Sequence, residues 1–174
     1  MSYESCSANL RIVCRICRFR GGRFTPTASS AAGYTTGCMS RRVILNVEDD
    51  EATHFVLRKL FEEICPDVEL IQATDGEQAI QVIRRFSDDP HLQLDLVLMD
   101  LNLPLRTGWE VMEAIRAVES YMKVPVIMFT GVTREEDRLR SVALGAEYIQ
   151  KPSTLVDLGK VVRDVCKRLG VFAP

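Results

Sequence analysis

"DLVLMDLNLPLRTG", residues 95–108, decides how this chain is read. Residues 95–99 form a short, mostly apolar run, the pattern of a strand buried on both faces of a sheet. The run ends on Asp100, and Pro104 and Gly108 follow at turn-like spacing. Aspartate is a common turn residue, so Asp100 by itself needs no special explanation. A carboxylate at the exit of a buried strand becomes informative only if other strands end in kind.

Working outward from this stretch, the 3.6-residue and buried-strand periods alternate. "RVILNV" (42–47) reads as a strand, and "EATHFVLRKLFEEI" (51–64) as a helix turning Ala52, Phe55, Val56, Leu60 and Ile64 inward. "VELIQA" (68–73) is a second strand. "DGEQAIQVIRRFS" (75–87) is a second helix with Ala79, Ile80, Ile83 and Phe86 inward. After the strand at 95–99 come a helix at 108–119, a strand at 124–130, and a helix at 133–145 with Thr133 as N-cap and Gly145 as C-cap. A strand at 146–150 and a helix within 153–170, carrying a stripe of Leu155, Leu158, Val161, Val162, Val165 and Leu169, close the pattern. Alternating strands and helices with short connections predict an α/β fold with a parallel sheet covered on both sides. Ligands of such sheets bind beyond the carboxyl ends of the strands, so the residues just after each strand matter most.

Those residues are Glu48, Asp49 and Asp50 after the first strand, Asp100 after the third, Thr130 and Gly131 at the end of the fourth, and Lys151 and Pro152 after the fifth. Adjacent strands lie about 4.8 Å apart. If strands one and three are neighbours, Glu48, Asp49 and Asp100 converge. Two like charges ~4 Å apart repel by about 4 kcal/mol at an effective dielectric of roughly 20. Such a cluster raises a pKa or binds a cation, and hard oxygen ligands favour Mg²⁺. Carboxylates, a divalent cation, a lysine and a threonine hydroxyl suit phosphoryl transfer, with Asp100 as the attacking nucleophile.

"VEDD", "VLMDLNLP", "VIMFTG" and "YIQKP" together resemble the four signatures of the response-regulator receiver domain, over roughly residues 41–170. The resemblance implies a flavodoxin-like, doubly wound, five-stranded parallel sheet in the order 2-1-3-4-5 with five helices. It implies that Asp100 is the phosphoacceptor, that Asp49 ligates Mg²⁺ directly, and that Glu48 is the neighbouring acid acting through water. The main-chain carbonyl of Asn102 completes the protein's ligands. Thr130 matches the switch hydroxyl, Lys151 the active-site lysine and Tyr148 the switch aromatic. Gly131 fits a position where a small residue leaves room for the phosphoryl group. The implied partners are a histidine kinase or phosphotransfer protein and a downstream protein docking on helix four, strand five and helix five. The implied activity is regulatory rather than that of an enzyme, although the domain would catalyse its own phosphorylation and slow dephosphorylation. The molecule is expected as a monomer or a phosphorylation-linked dimer in the cytoplasm. "DLNLP" is similar to small single-domain regulators paired with phytochrome-type kinases.

Three positions depart from the family pattern. Glu48 stands where aspartate is commoner, and Thr107 where an acid commonly precedes the loop glycine. Asn46 puts an amide in strand one where an apolar residue is usual, and nothing in the sequence explains it. Of the remaining polar residues, Asp50 reads as the N-cap of helix one and His54 as a surface residue. Trp109 reads as a packing residue at the start of helix three. An aspartyl phosphohydrolase of haloacid-dehalogenase type is disfavoured, since Asn102 replaces the second carboxylate of that family's phosphatases. A nucleotide or flavin site is disfavoured because no glycine-rich loop follows strand one and the three acids there would repel phosphate.

Composition sets the outer limits. The 174 residues are 47% hydrophobic and 26% charged, ordinary for one globular domain with an appendage. Residues 1–40 hold five arginines and one acid, leaving 17 basic and 23 acidic residues in the body. That acidic body argues against nucleic-acid binding, and no apolar run reaches the ~20 residues of a membrane span. Residues 1–40 are read as a disordered Arg- and Cys-containing extension that mimics a transit peptide in composition. Because "MSRRVILNVEDD" starts at Met39 like a natural domain beginning, an over-extended gene start is expected; residues 41–174 are the receiver domain. Cys14 and Cys17 have C-x2-C spacing, half of a zinc pattern that no second pair or nearby histidine completes. Cys65 and Cys166 read as small core residues, and nothing requires an oxidising compartment.

Overall fold

The computed structural model describes residues 41–171. The expectations for residues 1–40, including the Cys14–Cys17 pair and the gene start, lie outside the described residues. Five strands, β1 (Arg42–Val47), β2 (Val68–Ala73), β3 (Leu96–Met99), β4 (Val126–Thr130) and β5 (Glu147–Gln150), form one sheet in the order β2-β1-β3-β4-β5. Every pairing is parallel, with Val43 beside Glu69, Ile44 beside Leu96, Val97 beside Val126 and Ile127 beside Glu147. The helices are α1 (Glu51–Ile64), α2 (Gly76–Asp88), α3 (Gly108–Ala117), α4 (Glu135–Ala143) and α5 (Leu155–Arg168). A single 3-10 turn, Glu119–Tyr121, follows α3.

Side-chain alternation along the strands splits the core in two. Leu45, Val47, Val97, Met99 and Met128 face α2 and α3, meeting Ala79, Ile83, Phe86, Val111, Met112 and Ile115. Ile44, Leu96, Leu98, Ile127 and Phe129 face α1 and α5, meeting Leu57, Phe61, Leu158, Val162 and Val165. β3 and β4 are buried along their whole length, as their unbroken apolar runs require.

Several expectations needed correction. The inward face of α1 centres on His54, Leu57 and Phe61, while Phe55 is 54% exposed. The 3.6-residue period that fits Leu57 and Phe61 puts residue 54 one turn earlier on the same face and swings residue 55 some 100° away. Leu155, expected in the α5 stripe, is 65% exposed at the first position of its helix. Thr133 does not cap α4. That helix begins at Glu135 behind Arg134, which makes no side-chain cap bond, and its acidic first turn of Glu135, Glu136 and Asp137 complements the helix dipole instead. Gly145, at φ +68°, does follow the end of α4. Cys65 and Cys166 are buried as expected, but they are not free thiols: their sulfurs are bonded, with Cα atoms 6.5 Å apart. Among the described residues, no helix is long and apolar enough to cross a membrane.

Candidate functional site

Backbone hydrogen bonds carry the chain one residue past three strand ends. The amide of Glu48 donates to the Ala73 carbonyl (3.0 Å), that of Asp100 to Val47 (3.0 Å) and that of Lys151 to Thr130 (2.8 Å). The residues after β1, β3 and β5 are thereby held in sheet-like positions at one edge of the molecule. One carboxylate oxygen each from Glu48, Asp49 and Asp100 lies within 4.8 Å of the other two. Glu48 and Asp100 are buried and Asp49 is exposed. Lys151 Nζ sits between the buried pair, 2.6 Å from Glu48 and in close contact with Asp100.

Burial pushes the Glu48 carboxyl above its ordinary range; the Lys151 hydrogen bond and charge pull it back, and the Asp100 charge adds to the rise. Burial also works against the Lys151 ammonium. Its hydrogen bonds to Asp100 and Glu48 and their two charges outweigh that effect, so its pKa is raised. The arrangement holds two buried anions and one exposed anion against one cation, and that excess of hard oxygen charge fits a divalent metal ion.

Beside it, Asp100 Oδ1 accepts from the Asn102 amide (3.1 Å), which orients the carboxylate. Thr130 is buried, and its hydroxyl oxygen accepts from the Val132 amide (3.5 Å). Tyr148 is half-buried against the α2/α3 side of the core, and its hydroxyl donates to the Val132 carbonyl (2.6 Å). Thr130 and Tyr148 therefore grip the same residue, one at each side of its peptide. Gly131 leads into that segment, and a Cβ added to it would meet nothing within 4 Å.

The loop after Asp100 is fixed by close approach. A Cβ on Gly108 would stand 2.5 Å from the Asp100 carbonyl oxygen, and one on Gly76 would stand 2.2 Å from the Arg106 carbonyl oxygen. Only glycine lets α3 start against the backbone of Asp100 and lets the loop lie over the N-terminus of α2. Gly76 also donates to the Pro104 carbonyl (3.3 Å), and Arg106 pairs with Glu77 and Glu110. Thr107 caps α3 in a reciprocal box, its hydroxyl accepting from the Glu110 amide while its own amide donates to the Glu110 carboxylate. That accounts for the departure at Thr107.

Of the residues expected at the site, Glu48, Asp49, Asp100 and Lys151 come together, the Asn102 amide bonds Asp100, and Thr130 ends β4 with Tyr148 on the neighbouring strand. Asp50 caps α1 through the Ala52 and Thr53 amides, as expected. His54 corrects the sequence reading. It is 6% exposed; its Nδ1 lies 3.1 Å from Asn46 Nδ2 and its Nε2 lies 3.3 Å from the Ala73 carbonyl. The unexplained amide in β1 thus satisfies a buried imidazole. The same Ala73 carbonyl takes the Glu48 amide, so this polar pair braces the strand end from beneath. An asparagine and a histidine eight residues apart, flanking an acidic turn, was the available signal.

The model of the response regulator receiver domain matches residues 44–163. Response regulator Rcp1 of Synechocystis sp. (strain ATCC 27184 / PCC 6803 / Kazusa) is 31% identical over 71% of this chain and 86% of its own length. The transcriptional regulatory protein CpxR of Escherichia coli (strain K12) is 33% identical, and the chain spans 49% of it, about half. Among solved structures, the phosphorylated cyanobacterial phytochrome response regulator RcpA superposes with a TM-score of 0.66 at 26% identity, covering 73% of this chain and 92% of RcpA. The Mn²⁺-bound form of Rcp1 superposes with a TM-score of 0.63 at 30% identity, covering 72% and 92%.

Proposed function

The chain belongs to the response regulator receiver domains of two-component systems, and on that premise we propose that it accepts a phosphoryl group on Asp100 from a histidine kinase or phosphotransfer protein. The observation that carries this reading is the convergence of Glu48, Asp49 and Asp100, with Lys151 against Glu48 and Asp100 and Thr130 on the adjoining strand. Mg²⁺ would be held by Asp49, Asp100, the Asn102 carbonyl and, through water, Glu48. When bound it neutralises charge on the transferring phosphoryl oxygens.

The chain's own groups account for the rest. Asp100, oriented by the Asn102 amide, presents an oxygen to phosphorus. The new bond is O–P; the bond that breaks is P–N to the donor imidazole, which keeps the electron pair and takes up a proton. Lys151 is already hydrogen-bonded to Asp100, so it needs only a small shift to follow the charge onto a phosphoryl oxygen. The Thr130 hydroxyl donates to another oxygen. Doing so redirects the group that now accepts from Val132, and Tyr148 loses or re-forms its bond to the same residue. The surface of α4, β5 and α5 then changes its affinity for a partner protein. Leu139 and Val142 are exposed on α4 and suit an apolar contact there.

The test is intact mass after incubation with a small-molecule phosphodonor, with and without Mg²⁺, alongside Asp100→Ala. A gain of one phosphoryl group that requires Mg²⁺ and is lost in the variant is the expected result. Absence of any gain from small donors and from purified histidine kinases would overturn the reading and leave a receiver acting through constitutive binding.

A further inference from the structure

Cys65 and Cys166 lie on elements whose other ends carry the acidic site. α1 starts just after Glu48, Asp49 and Asp50, α5 starts just after Lys151, and each runs 14 residues, or about 20 Å, away from that edge. Cys65 is the C-cap of α1, with its amide donating to the Phe61 carbonyl; Cys166 lies in the last turn of α5, with its carbonyl accepting from the Val171 amide. Their sulfurs are bonded within the cluster formed by Phe61, Val162, Val165 and Leu169, across a sequence separation of 101.

We propose that this pair is a reversible covalent tie whose redox state sets how firmly α5 is held, apart from the chemistry at Asp100. In formation, the two thiols give up two protons and two electrons to a small disulfide of the oxidised-glutathione class, which leaves as two thiols; a dithiol reductant reverses the exchange. A bond closing so long a loop restricts the unfolded chain strongly. With Cys65 1% exposed and Cys166 fully buried, no external thiol reaches either sulfur in the closed fold. Exchange therefore waits on opening of the last turn of α5, and the tie switches slowly.

The full chain with its six cysteines is treated with oxidised glutathione or with dithiothreitol, its free thiols are alkylated in denaturant, and it is digested without reduction. The expected result is a linked pair of the Cys65 and Cys166 peptides in the oxidised sample only. Reduction lowers Tm on the order of 10 °C and speeds amide exchange over residues 161–169. Cys166→Ala, which keeps a small apolar group in place, abolishes the response of Tm to reductant. Phosphoryl uptake at Asp100 stays equal in both samples; a failure to phosphorylate at all bears on the functional reading and not on the tie. Free Cys65 and Cys166 after oxidation, pairing of either with a cysteine of residues 1–40, or a linked pair whose reduction moves neither Tm nor exchange would overturn the proposal.

Discussion

Glu48 concentrates the conflict of the site in one side chain. Its carboxylate is buried beside another, and one lysine serves both. Because its folded pKa is raised, the stability linked to it is fully present below the ordinary glutamate value and is lost as pH rises from about 4.5 through the raised value. Glu48→Gln removes that loss. Thermal melts without metal should show equal Tm for variant and parent near pH 4, and a higher Tm for the variant at pH 7.5. Mg²⁺ titration should show affinity reduced about tenfold or more, since the acid proposed to hold the metal through water has lost its charge. Lys151 has the same sign at the other end of the scale. Its raised pKa makes its contribution persist at neutral pH and fade only above the ordinary lysine range. Asn46 and His54 form the second residue-scale test. Asn46→Leu strands a buried imidazole nitrogen and should cost about 1–3 kcal/mol in chemical denaturation. Adding His54→Leu should recover part of that loss, because an apolar pair leaves nothing unsatisfied.

Among the elements, α4 is the least anchored. Ser141 is its one buried residue, and no side chain caps its N-terminus. Its C-terminal end is held from α3. Arg116 donates to the carbonyls of Leu144 (3.3 Å) and Gly145 (3.2 Å), and also to Tyr121 (3.2 Å) and Val124 (3.0 Å). One guanidinium thus ties together the end of α4, the 3-10 turn and the approach to β4. Lysine has a single ammonium and cannot span this set. Arg116→Lys should lower stability by about 1–2 kcal/mol and speed amide exchange at residues 142–146, read by hydrogen exchange with mass spectrometry. Phosphoryl uptake should be unchanged. The helix is fixed at one end and loose at the end nearest Thr130, which is the mechanical condition for a swing.

The elements also show what periodicity does and does not carry. The two-sided core and the gathering at strand ends followed from apolar runs separated by acids, Thr130 and Lys151, because burial on both faces forces that pattern; the strand order came from the resemblance of the four strand-end motifs to receiver domains. The inward face of α1 was misread because His54 is polar and Phe55 is not, although the neighbourhood of Asn46 reverses their roles. Arg116 was invisible: carbonyl acceptors are present at every residue and leave no compositional trace. The Cys65–Cys166 bond was missed because spacing along a chain says nothing about which helix ends meet.

At the scale of the whole molecule, a single optical probe joins site to surface. Trp109, the one tryptophan of the chain, follows Gly108 at the start of α3, and the guanidinium of Arg140 on α4 lies 4.3 Å from its ring centroid. A shift of α4 changes that contact. Phosphorylation should alter Trp109 emission in the parent protein. Thr130→Ala should still take up the phosphoryl group yet lose most of the emission change, measured on one sample by mass and fluorescence.

The two ends of the sheet divide the labour so completely that the molecule offers a place for foreign sequence. Strands β1, β3, β4 and β5 carry the groups proposed to react at their exits, while the connection from α2 into β3 turns at the opposite end, with Pro90 and His91 exposed. A circularly permuted fluorescent protein spliced between Pro90 and His91 would sit on the far side from Asp100, leaving the domain free to serve as the sensing half of a genetically encoded reporter.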